Sequence, residues 1–145
     1  MSKQHDNAQE QITAELAPVI VEVTAFLQQQ EDIQLAILFG SLATGKVHQK
    51  SDIDIAIEKK HPLSAEEKIE LISQLALITG RAVDLVDLSV VGEPILGQIL
   101  KYGKRLTGTD TVFAEMALKH LYAQADFVPY LTRTLKERRQ QWLAS

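Results

Sequence analysis

The segment Asp52-Ile53-Asp54-Ile55-Ala56-Ile57 alternates without a slip. Such alternation dictates a strand with Ile53, Ile55 and Ile57 on one face and Asp52, Asp54 and Ala56 on the other. Ser64-Ala65-Glu66-Glu67 is a capping box, after which Ile69, Ile72, Leu75 with Ala76, and Ile78 form a helical stripe that Gly80 ends. Ala82 to Leu88 (AVDLVDL) reads as another strand, with Asp84, Val86 and Leu88 on one face and Val83, Leu85 and Asp87 on the other. Strand, capped helix and strand make a right-handed crossover that puts both strands in one sheet.

The remaining segments dress that unit. Ile33 to Phe39 (IQLAILF) is a short apolar run between Asp32 and Gly40-Ser41, as expected of a buried strand. From Gln9 to Gln30, Ile12, Leu16, Val19, Ile20, Val23, Phe26 and Leu27 trace an amphipathic helix that is expected to start or kink at Pro18. Glu93-Pro94 opens a helix running to Gly103, with Pro94 in its first turn, and Arg105 to Thr107 adds an edge strand. Asp110 to Leu143 reads as helical, divided or bent at Pro129. The expected architecture is α/β (α+β), in two or three layers, with a small mixed sheet flanked by helices. One domain spans 1–145, with a core over about 1–108 and a C-terminal helical segment over about 109–145.

Composition removes other classes. With 145 residues and 46% hydrophobic content the chain can bury a core unaided, and zero Cys excludes a thiolate nucleophile, a Cys-ligated zinc and a disulfide framework. The formal charge is −4, but residues 1–100 carry 7 basic and 15 acidic groups whereas residues 101–145 carry 8 and 4. The acidic total argues against bulk nucleic-acid binding, and the basic C-terminal segment reads as a solvated helix face or a docking surface. The polar N-terminus has no signal-peptide core and no apolar run reaches membrane length, so the expected location is cytoplasmic.

The chemistry concentrates in Phe39 to Asp54. Residues i and i+2 of a strand point the same way about 6.6 Å apart, so Asp52 and Asp54 can converge on divalent cations. Mg²⁺ is the fitting ion, being hard and partial to carboxylate and phosphate oxygens. Asp84, one crossover away, supplies a third acid, completing a three-carboxylate, two-metal centre in which Asp84 also acts as base. Asp87 competes for that place from the opposite face. Gly40-Ser41, at the exit of a strand, lets backbone amides and a hydroxyl approach a polyphosphate.

Gly40-Ser41, ten intervening residues and Asp52-x-Asp54 together resemble the signature of the DNA polymerase β-like nucleotidyltransferase superfamily. The short chain further resembles its minimal nucleotidyltransferase (MNT) branch. The motif covers 15 residues, and the order of elements extends the likeness less specifically over most of the chain. The resemblance implies a polymerase β-like palm, with Gly40 and Ser41 as the nucleotide-binding turn. It also implies Asp52, Asp54 and Asp84 as catalytic metal ligands, two Mg²⁺ ions and ATP as substrate. It further implies an antitoxin that transfers AMP to a tyrosine of a HEPN-domain ribonuclease toxin, where added bulk and negative charge obstruct an RNA phosphate. The alternatives are transfer to a small-molecule hydroxyl and a non-catalytic antitoxin that neutralises by binding. Leu42 and Thr44 stand where relatives often carry arginine, which leaves phosphate neutralisation to Mg²⁺, Lys46, Lys50 or the basic C-terminal segment.

Other residues read more plainly. His48 sits in the turn between the motif halves, whereas His5, His61 and His120 lack metal-ligand spacing and are expected at the surface. Tyr102, Tyr122, Tyr130 and Trp142 are expected in core packing or at amphipathic edges, with packing on adenine or a partner as the other option. Lys136, Arg138 and Arg139 suit a helix C-terminus, where they complement its dipole.

Overall fold

The computed structural model describes residues 2–45 and 51–144, with side chains over 10–45, 51–125 and 132–143. Lys46, His48 and Lys50, and the side chains of His5 and Tyr130, lie outside the described residues. Helix α1 (Ser2–Gln29) leads into β1 (Ile33–Phe39), the short α2 (Ser41–Thr44), β2 (Ile53–Lys59) and α3 (Ala65–Thr79). Then come β3 (Val83–Asp87), α4 (Ile95–Tyr102), β4 (Lys104–Gly108) and α5 (Asp110–Ala144).

The four strands form one sheet in the order β3-β2-β1-β4. β2 and β3 are parallel, as a strand–helix–strand crossover requires, while β1 is antiparallel to both β2 and β4. The sheet is therefore mixed, with β4 as the edge strand expected near Arg105. Alternation along each strand divides the core in two. Ala36, Leu38, Ile53, Ile55, Ile57 and Leu85 face Val23 and Leu27 of α1 and Leu71 and Leu75 of α3. Leu35, Ile37, Ala56 and Leu88 face Leu96 and Ile99 of α4 and Met116 of α5. This makes three layers, and it explains why β1 reads as an unbroken apolar run: both of its faces are covered.

The capping box at Ser64 is present as expected, with the Glu67 amide donating to Ser64 Oγ at 3.1 Å, and α3 closes on Gly80 in the left-handed region. The structure narrows three proline expectations. α1 continues through Pro18. Only one helical hydrogen bond is lost there, and Leu16, Val23 and Leu27 anchor the helix on either side. α5 is likewise a single helix from Asp110 to Ala144, with no division at Pro129. Pro94 occupies the N-cap of α4, one position before the first turn.

Candidate active site

β1 delivers the chain into Gly40, whose backbone (φ 73°, ψ −151°) lies in a region that side chains exclude. A Cβ built there would stand 2.1 Å from Asp54 Oδ2, so the glycine also makes room for a carboxylate. α2 follows at once, closed by the Thr44 amide donating to the Gly40 carbonyl at 3.3 Å. Among the described residues no side chain caps α2. The amides of Ser41, Leu42 and Ala43 therefore belong to a first helical turn without helical acceptors, beside Asp54.

The sheet register gathers the acids. Phe39 pairs with Asp54 across β1 and β2, and Asp54 pairs with Asp84 across β2 and β3. Asp52 stands immediately before β2, close enough for its charge to act on Asp54. Burial raises the Asp54 pKa above the ordinary carboxylate range, and the negative charges of Asp84 and then Asp52 raise it further. Among the described residues no three acidic or histidine side chains already converge on one point. The donor chemistry nonetheless fits Mg²⁺: oxygen-only ligands, mutual repulsion that a cation relieves, and a glycine that keeps the space over Asp54 open.

Asp87 is committed elsewhere. It accepts hydrogen bonds from the Leu63 amide (2.8 Å), the Ser89 amide (2.9 Å) and the Ser89 hydroxyl (2.7 Å), pinning the chain before α3 to the end of β3. Burial pushes its pKa up, but the Ser89 hydroxyl, the Leu63 and Ser89 amides and Lys68 outweigh that, and the net shift is downward. An acid whose folded pKa is depressed stabilises the fold above its unfolded pKa, and the contribution disappears as pH falls through the folded value. Asp87→Ala is expected to cost about 2–4 kcal/mol in denaturant unfolding, since it strands two amides, while leaving Mg²⁺ affinity unchanged. The opposite pattern is expected for Asp84→Ala.

One contributor has no signature in the sequence. Arg81, between α3 and β3, donates from Nη1 to the Ser51 carbonyl at 3.1 Å, and the Ile53 amide donates to the Ala82 carbonyl at 2.9 Å. These bonds fix the entry of β2 and hence the position of Asp52. A lone arginine after a C-capping glycine carries no periodicity; the only clue was its place at the start of the strand neighbouring Asp52-x-Asp54. Arg81→Ala is expected to slow nucleotidyl transfer about 10- to 100-fold with a higher Mg²⁺ requirement, because small misplacements of reacting groups are costly. Arg81→Lys should recover part of the loss, and circular dichroism should show both variants folded.

A cleft of about 420 Å³ opens beside Gly40, between the end of β1 and α4, and is lined by Phe39, Gly40, Thr44, Ile95, Gln98 and Tyr102, among others. Tyr102 on its rim is 55% exposed, which sets aside core packing and leaves the amphipathic edge. Tyr122 and Trp142 on α5 are also exposed. The surface expectation for His120 is corrected. It is partly buried and paired through Nδ1 with Glu93 Oε1, and a Cβ on Gly97 would collide with its ring. The absence of metal-ligand spacing in the sequence did not reveal a pair joining the start of α4 to α5. His61 is exposed as expected. Lys136, Arg138 and Arg139 are exposed but precede the last turn of α5, so the dipole does not account for them.

Comparison with known proteins agrees with this geometry. The chain is 38% identical over 98 residues to the protein adenylyltransferase MntA of Shewanella oneidensis, a match covering 63% of this chain and 70% of the relative. A crystal structure of a toxin–antitoxin with AMP-PNP superposes with a TM-score of 0.64 at 30% identity, over 81% of this chain and 97% of that one. A complex of tri-AMPylated Shewanella oneidensis HEPN toxin with MNT antitoxin superposes with a TM-score of 0.53 at 26% identity, over 88% and 98%. The polymerase beta nucleotidyltransferase profile matches residues 22–112. That span runs from within α1 to within α5 and takes in the whole sheet; the chain is a member of the polymerase beta nucleotidyltransferase family.

Proposed function

We propose that the protein is an antitoxin that acts as a Mg²⁺-dependent protein adenylyltransferase, moving AMP from ATP to a tyrosine of a HEPN ribonuclease partner. The observation that carries the reading is Asp54 lying against Gly40 and in register with Asp84 on the neighbouring strand, with Asp52 two residues earlier in the chain. The relatives add the acceptor class: one is a protein adenylyltransferase, and another stands beside an AMPylated HEPN toxin.

In the balanced reaction the acceptor oxygen bonds to the α-phosphorus, the bond to the bridging oxygen breaks, and pyrophosphate leaves with that electron pair. Asp52, Asp54 and Asp84 would hold Mg²⁺. When bound, the metal neutralises phosphate charge and lowers the pKa of a coordinated hydroxyl. Asp84, exposed at the edge of the set, takes the acceptor proton. The Ser41 hydroxyl and the amides of α2 hold the departing phosphates in line.

The test uses purified protein, its genetically adjacent partner and labelled ATP. Label from the α-position should reach the partner, whereas label from the γ-position should not. Transfer of γ-label would mean a kinase, and label on neither would defeat the reading.

A further inference from the structure

The geometry points to the cleft between β1 and α4 as the nucleobase subsite, with Gln98 reading an adenine edge and Tyr102 stacking on the ring. This rests on the nucleotidyl-transfer reading and adds to it the residues that choose the nucleotide.

Ile95, Gln98, Ile99 and Tyr102 fall at i, i+3, i+4 and i+7 and so share one side of α4. All four line the cleft, which reaches Gly40 and Thr44 at the polyphosphate turn. A nucleotide whose phosphates lie on that turn therefore has its base within reach of this stripe. Ile95 and Tyr102 are 53% and 55% exposed, an uncovered apolar surface at the cleft mouth. At about 420 Å³ the cleft falls in the size class of small-ligand sites. Its walls are mostly apolar, with a few polar groups to fix orientation, as a flat aromatic base requires.

Gln98 is the discriminating group. Its amide is exposed in the cleft wall and presents an acceptor and a donor side by side. Adenine offers the complement, an exocyclic amine beside a ring nitrogen, the match that glutamine makes to adenine elsewhere. A carboxylate has two acceptors and no donor. Gln98→Glu would lose the ring nitrogen of adenine and gain the adjacent N1–H and N2–H donors of guanine. The Tyr102 ring carries the Lys101 ammonium 5.2 Å from its centroid and supplies a stacking surface indifferent to base identity.

The experiment measures equilibrium binding of MgATP and MgGTP to the full chain, alongside transfer of α-label from each nucleotide to the partner. Wild type should prefer ATP, and Gln98→Glu should shift the ATP:GTP ratio toward GTP by about tenfold or more. Tyr102→Ala should weaken both nucleotides about 5- to 100-fold, and Tyr102→Phe should restore binding, since the ring is kept. An unchanged ratio in Gln98→Glu, or full nucleotide affinity in Tyr102→Ala, overturns the subsite even if wild type labels its partner. Wild type that prefers ATP but labels nothing overturns the transfer reading and leaves the subsite standing.

Discussion

Asp54→Asn is expected to lower AMP transfer on the order of 10³-fold and, in the same protein, to raise the melting temperature measured without metal. The two effects have one cause. Asp54 is pressed between the Gly40 backbone and two further carboxylates, Asp84 in register beside it and Asp52 immediately before β2. Without a cation their repulsion opposes folding; with one, the same arrangement becomes a binding site. Because the folded pKa of Asp54 is raised, the native state binds more protons than the unfolded state between the two values. Metal-free stability should therefore increase as pH falls through the folded pKa of Asp54 and stop increasing below the unfolded one. Saturating Mg²⁺ should stabilise wild type and flatten that dependence, while Asp54→Asn should show little of either response. Thermal melts from pH 7 down to about pH 3, below the unfolded carboxylate value, with and without Mg²⁺, would check this. An Asn variant less stable than wild type in metal-free buffer would contradict it.

Gly40→Ala is the second large effect. The substitution places a methyl group 2.1 Å from Asp54 Oδ2 and asks alanine to adopt φ 73°, ψ −151°. The backbone alone costs about 1–3 kcal/mol. The collision forces either Asp54 or the turn to move, so metal and phosphate sites are disturbed together. Transfer should fall at least about 10²-fold, and denaturant unfolding should shift to lower concentration. Gly45→Ala makes a useful control: its φ of 77° is also left-handed, but an added Cβ meets nothing within 4 Å. It should lose stability while keeping most of the activity. Equal loss of activity in both variants would mean that turn conformation, rather than contact with Asp54, governs the site.

The parts legible in the sequence were those with a strict period or a local hydrogen-bonding code. Ile53, Ile55 and Ile57 alternate because one side of β2 meets α1 and α3, and Ser64 with Glu67 closes a cap using neighbours only. The crossover put Asp84 on the strand beside Asp54, whereas the register that pairs the two is a feature of the folded sheet. What stayed hidden depends on partners distant in sequence. Arg81 reaches Ser51, Asp87 reaches Leu63, and His120 reaches Glu93, each across a separation at which no periodic signal survives. Proline misled for a related reason: its local cost is real, but α1 is held by tertiary burial of Leu16, Val23 and Leu27, which outweighs one lost hydrogen bond. The antiparallel placement of β1 between β2 and β4 was likewise beyond local pattern.

The most direct test of the central claim is the intact mass of the partner after co-expression. With wild-type protein the partner should gain whole adenylyl groups that map to tyrosine, and its ribonuclease activity should stay low after the two proteins are separated. With Asp52→Asn combined with Asp54→Asn the partner should keep its unmodified mass and recover activity. A partner silenced without any mass change, and equally by wild type and the double variant, would contradict the account and assign the antitoxin effect to binding alone.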